Sequence, residues 1–189
     1  MMSRWIAGIA VALALAFSLP GVGAAAKDAD AEPVAAQTTG GARDAYAAPL
    51  AAALEMVHDR YAPSAKPIPE DVRDALAAEF GPELVRARYV VSQLAISVLT
   101  AIDQFQGTTL RKGLHAATVD DLILFSSEPS ISDLWMWAHE LHHVQQYEER
   151  GTIYRFALWY VNECEAVEQA ADDRANRALG KSVHPRHCL

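Results

Sequence analysis

The chain is short of cysteine, of basic charge and of long apolar runs, and each shortage narrows what it can do. Its two cysteines, Cys164 and Cys188, permit a single bridge that would tie the C-terminal tail to a helix; the alternative is two free thiols. Lys and Arg number 16 against 24 Asp and Glu, a formal net charge of -8. That balance argues against nucleic acid as a partner and favours solubility. No internal repeat is evident. The one unbroken apolar run, residues 5–19, is too short to be the first choice for a spanning helix, and Pro20-Gly21 breaks it.

That run fits another use. A positive start in residues 1–4, the apolar stretch, and the small residues Ala24, Ala25 and Ala26 after the break form the pattern of a signal peptide over residues 1–26. An uncleaved anchor is the alternative. The mature chain is therefore expected to be periplasmic or secreted, with no stable membrane span. Residues 27–44 hold almost nothing large to bury and read as a disordered linker. Residues 45–180 suffice for one core. Residues 181–189 form a tail, in which His184 and His187 are either adventitious metal binders or part of a loose end.

Within the domain, Leu50, Leu54, Met56 and Val57 among alanines predict a helix over 44–61, ending before the prolines of 63–69. Pro69 at a first helical position, Glu70 and Asp71 behind it, and Val72, Ala75, Leu76 and Phe80 at helical spacing predict a second helix, with Gly81 just past its end. Residues 84–102 open with Val85, Ala87 and Tyr89 alternating against Arg86 and Arg88, which predicts a strand; their second half reads as helix or strand. Leu122-Ile123-Leu124-Phe125 reads as a short buried strand. Ser130-Ile131-Ser132-Asp133 opens a helix that runs to Arg150 and stops at Gly151, and a last helix covers 153–179 before Gly180.

The first of these two long helices contains His139-Glu140-Leu141-His142-His143. Residues four apart share a helix face, so the imidazoles of His139 and His143 can converge on one ion, with zinc the expected metal. Glu140 is turned off that line and is placed to act on water as a general base. A third ligand is expected from the second helix. Glu168 is favoured because Asp172, one turn on, could accept a hydrogen bond from a ligand imidazole as a supporting residue. Glu165, three residues earlier, is the reserve, and Glu163 points elsewhere on a straight helix.

Other residues allow two readings. His142 leaves the ligand face and is a packing histidine more than a ligand. Trp135, Trp137, Leu141, Val144 and Tyr147, facing Tyr154, Phe156, Trp159 and Tyr160, read as the core between the two helices rather than as an aromatic wall for substrate. Tyr147, Tyr154, Tyr160, His184 and His187 could each stabilise an oxyanion, and spacing does not choose among them.

The chain resembles the small bacterial zinc metallopeptidase domains of the gluzincin clan, of the type found as the core domain of extracellular contractile injection systems. The likeness rests on Pro67-Ile68-Pro69-Glu70-Asp71-Val72-Arg73, Phe80, Glu83-Leu84, Ala117-Thr118-Val119 leading into residues 122–125, His139-Glu140-Leu141-His142-His143-Val144-Gln145-Gln146-Tyr147, and residues 168–172, a span of roughly 67–179. It implies an α+β fold, mostly helical: a minimal zincin-like domain with a small sheet and two long helices carrying the metal site. It also implies an edge strand near residues 122–125 that could pair with an extended peptide. His142 stands where such domains usually carry a small residue. The expected function is an exported zinc-dependent metallopeptidase acting on a peptide or protein substrate. The alternative is a non-catalytic, zinc-stabilised scaffold or binding module of the cell envelope.

Overall fold

A computed structural model describes residues 38–105, 114–130 and 132–183. The signal peptide, residues 27–37 of the expected linker, and Cys188, His184 and His187 lie outside the described residues. Helices dominate, around one four-stranded mixed sheet, so the chain is α+β. In chain order the elements are α1 (Thr38–Tyr61), β1 (Lys66–Pro67), α2 (Glu70–Leu76), α3 (Gly81–Arg86), β2 (Arg88–Val91), α4 (Gln93–Phe105), β3 (Ala116–Val119), β4 (Leu122–Phe125), α5 (Leu134–Arg150) and α6 (Ile153–Leu179).

The sheet order is β1-β2-β4-β3, with β2 and β4 parallel and both outer pairings antiparallel. All four residues of β4 are buried because both faces of the sheet are covered. Period-two alternation then divides them. Ile123 and Phe125 join Ile68, Val72, Leu76, Phe80, Trp137 and Leu141, whereas Leu122 and Leu124 join Leu54, Val57, Ile96 and Leu99. One face therefore carries α2, α3, α5 and the end of α6, and the other carries α1 and α4 with Ala157 from the start of α6. Thr118 alternates with Ala117 and Val119 of the second face, and so points toward α5.

Four expectations need correction. The strand expected from residue 84 begins at Arg88, because residues 81–86 form α3. Pro82 suits the first turn of that helix, Leu84 and Ala87 are buried at a spacing of three, and Val85 is 88% exposed, so the apparent alternation was not a sheet face. Gly81 for the same reason opens α3 rather than closing α2, which ends at Leu76. The strand 122–125 is internal, and the edge beside it is β3. Lastly, α1 begins at Thr38, inside the stretch assigned to the linker. Its alanines propagate a helix at little cost, Ala47 and Ala51 are buried, and Asn162 Nδ2 of α6 donates to Asp44 Oδ1 at 2.8 Å. The segment left open between helix and strand is the helix α4.

Among the described residues no helix is long and apolar enough to cross a membrane. Cys164 is not a free thiol, and its expected partner lies outside the described residues.

Candidate metal centre

Helices α5 and α6 are joined through Gly151 and Thr152, and their ends follow from local chemistry. The side chain of Asp133 caps α5 by accepting from Met136 N. Gly151, at φ 75°, takes the left-handed conformation that ends the helix, and the Thr152 hydroxyl accepts from Arg155 N at the start of α6. The two helices fold back as an antiparallel pair. Helix α6 is broken at Glu163 (φ -129°, ψ 29°), so its aromatic first half and its acidic second half do not share one axis.

The second half of α6 faces the histidines. His139 Nε2 lies 3.1 Å from His143 Nε2. Glu168 Oε2 lies 3.2 Å from the former and 3.6 Å from the latter. His139, His143 and Glu168 are all buried. Glu165 and Glu163 are exposed, and Glu165 stands outside this three-donor group.

The far side of each ring sets what its Nε2 presents. His139 Nδ1 is 3.0 Å from Asp172 Oδ1, a carboxylate that only accepts, so Nδ1 carries the hydrogen and Nε2 a lone pair. His143 Nδ1 is 2.7 Å from Gln146 Oε1. Gln146 Nε2 donates to Val167 O at 3.0 Å, which turns the amide oxygen toward the ring, and His143 Nδ1 must then be the donor. Both Nε2 atoms and a carboxylate oxygen thus converge, and any hydrogen between them is one that a metal would displace. Such a cluster needs a cation, which is either protons or a metal.

The acid–base behaviour of the site has the same cause. Burial opposes a charge on His139, but hydrogen bonds to Asp172 and Glu168 outweigh it and push its pKa up to about 10. His143 is raised against its own burial by Glu168. Glu168, though buried, is held well below the usual carboxylate range by the two imidazoles.

The donor geometry fits zinc. Ligands at about 2.0–2.1 Å in a tetrahedron stand about 3.3 Å apart, and the three separations here fall on either side of that value. Tyr160 Oη donates to Glu168 Oε1 at 3.1 Å, while Oε2 of the same carboxylate faces the two imidazoles. Trp135 stacks on His139, ring centroids 5.3 Å apart, and its Nε1 donates to Asn176 Oδ1 at 2.9 Å.

Glu140 is buried and lies outside the three-donor group. Thr118 Oγ1, on the edge strand, donates to Glu140 Oε2 at 2.7 Å and lies 3.2 Å from the Glu140 carbonyl oxygen. The Thr118 hydroxyl occupies Oε2 and leaves Oε1 as the oxygen open to another donor.

Thr118 and Gln146 received no role from the sequence. Gln146 had a signal, since it follows His143 at helical spacing; Thr118 had none, because it reaches Glu140 through strand pairing. The oxyanion candidates are reduced. The Tyr160 hydroxyl is committed to Glu168, Tyr154 is exposed, and Tyr147 is buried in a stack on Phe156, its hydroxyl pKa raised well above the ordinary value by that burial. The exposed Tyr154 is also not part of the core between the helices. His142 is half-buried beside Gln145, and burial with the neighbouring His143 lowers its pKa to about 4.

No curated protein and no solved structure matches the chain. A family match does exist, and it stops at residue 151 rather than at 179, so α6 with Glu168 and Asp172 lies beyond it. Over residues 67–151, which hold the sheet and the His139-Glu140-Leu141-His142-His143 helix, the chain is similar to the eCIS core domain.

Proposed function

We propose that the chain is an exported zinc-dependent metallopeptidase in which His139, His143 and Glu168 hold the metal and Glu140 is the general base. The observation that carries this reading is the meeting of three buried acceptor atoms, 3.1–3.6 Å apart, with the supporting groups on both rings already oriented. When bound, zinc supplies a Lewis acid that acidifies water and polarises a carbonyl oxygen. The residues of the chain divide the remaining work. Asp172 and Gln146 hold the ring hydrogens on Nδ1, so that both Nε2 atoms can serve as ligands. Tyr160 holds the outer oxygen of Glu168. Glu140 takes a proton from water on Oε1 while Thr118 keeps Oε2 in place, and later returns it to the leaving amine. The edge of β3 not paired to β4 carries no strand among the described residues. An extended peptide pairing there would run beside Thr118 and Glu140.

The alternative of a zinc-stabilised scaffold would need the metal to join the helices. Against it, α5 and α6 are already joined by Gln146 to Val167, Trp135 to Asn176 and the Tyr147–Phe156 stack at 3.7 Å.

The test is hydrolysis of a broad peptide library by the zinc-loaded protein and by Glu140→Gln. The expected result is cleavage by the wild type and a loss of about 10²-fold or more in the variant, at unchanged zinc content. Equal cleavage by both, or cleavage by neither, overturns the peptidase reading.

A further inference from the structure

The two ligand histidines are supported differently, and the difference identifies a residue whose work reaches beyond its own helix. Asp172 is a carboxylate on α6 acting directly on His139. Gln146 is a neutral amide on α5 itself, one turn after His143, and it is among the most deeply buried polar side chains, 2% exposed. One end accepts from His143 Nδ1 at 2.7 Å, and the other donates to Val167 O at 3.0 Å, the carbonyl immediately before Glu168. A single side chain thus connects the second ligand to the backbone of the third.

The break at Glu163 makes this connection consequential. Because α6 changes direction there, the packing of its first half does not by itself set where Glu168 falls, although Tyr160 of that half reaches Glu168 Oε1, and the second half has attachments of its own. Among the described residues, the polar attachments of that half outside the ligand cluster and Asp172 include Tyr160 to Glu168, Trp135 to Asn176, Arg174 to Glu79, and Gln146 to Val167. Of these, the Gln146 link alone joins a ligand histidine by hydrogen bonds to the backbone beside Glu168. A slip of α6 past α5 would break it and would also move Glu168 Oε2 away from the two Nε2 atoms.

We propose that Gln146 is a positioning residue that sets the affinity of the site for a divalent metal: it selects Nε2 of His143 as the coordinating atom and fixes the spacing between His143 and Glu168 before metal arrives. This rests on the reading of the site as a metal centre and is independent of any substrate.

The test is zinc affinity of the folded, metal-free protein, measured by competition with a chromophoric chelator. Wild type is compared with Gln146→Met, which removes both hydrogen bonds at similar volume, and Gln146→Glu, which keeps an acceptor for His143 but has no N–H for Val167. Gln146→Met should bind zinc about 10- to 100-fold more weakly, and Gln146→Glu should lose affinity by a smaller factor. A cobalt-substituted sample should show an altered visible absorption band in Gln146→Met, a change that loss of packing alone does not produce. Zinc affinity of Gln146→Met within twofold of wild type overturns the proposal. Should that variant fail to fold, wild-type affinity in Gln146→Glu overturns it, since the link to Val167 would then be dispensable. If the wild type itself binds no zinc, the metal reading fails and the proposal falls with it, an outcome distinct from tight binding by all three proteins.

Discussion

Among the described residues, two groups of His, Asp and Glu bring three donor atoms within 4.8 Å of one another: His139, His143 and Glu168 between the long helices, and His58, Asp120 and Asp121 where α1 meets the β3–β4 turn. Composition and spacing make them look alike. Their surroundings do not. The outer group is half-buried, and its carboxylates already have arginines: Arg88 reaches Asp121 Oδ2 at 2.8 Å and Arg86 pairs with Asp120, while His58 Nε2 lies 2.8 Å from Asp121 Oδ1. The inner group is buried, and Asp172 and Gln146 hold the ring hydrogens on the far side, so both Nε2 atoms face the Glu168 carboxylate. A metal entering the outer group would have to displace arginines, whereas in the inner group it would displace only protons. The lesson is that donor proximity is not enough. What distinguishes a metal centre from an ion-pair cluster is which hydrogens and charges have been turned away from the middle.

The strongest way to break this comparison is to remove donors from each group and count zinc. His139→Ala, His143→Ala and Glu168→Ala should each reduce bound zinc from one equivalent to near zero by elemental analysis after dialysis. His58→Ala and Asp121→Asn should leave the stoichiometry of wild type. Zinc loss from the outer variants, or retention in Glu168→Ala, would contradict the assignment. A smaller effect is expected beside the inner group. Thr118→Val should lower kcat for peptide hydrolysis about tenfold through loss of a hydrogen bond to a charged group, with KM and zinc content close to wild type, and Thr118→Ser should restore most of the rate. The smallest effect belongs to the outer group and is read as stability. Burial alone would raise the Asp121 pKa, but hydrogen bonds and charge from His58 and Arg88 hold it below its ordinary 3.8. A carboxylate depressed in the folded state contributes stability above its unfolded pKa and loses it as pH falls through the folded value. Urea midpoints of wild type should therefore fall further between pH 7 and strongly acidic pH than those of Asp121→Asn; parallel curves would show that the cluster adds nothing.

Much of this was legible in the residues. The α5 and α6 boundaries follow from Asp133, Gly151, Thr152 and Gly180, local signals whose meaning does not depend on the rest of the fold. The burial of β4 followed from four consecutive apolar residues. Residues 84–91 were less legible, because Val85 lies in the apolar alternation but faces solvent on α3; a β-branched residue near a true strand imitates its period. Within the site, the preference for Glu168 over Glu165 came from its four-residue spacing to Asp172, and the structure buries Glu168 and Asp172 while exposing Glu165.

The sequence by itself determined the helical pairing of His139 with His143, the helix carrying Glu168 and Asp172, and the mixed α+β class, because each depends on a short-range period or cap that neighbouring residues enforce. Only the tertiary structure decided that β3 rather than β4 is an edge, that Thr118 holds Glu140, and that Gln146 reaches Val167. These depend on the order in which strands pair and on the break at Glu163, which reset the relative positions of residues distant in the chain, and no local periodicity encodes them.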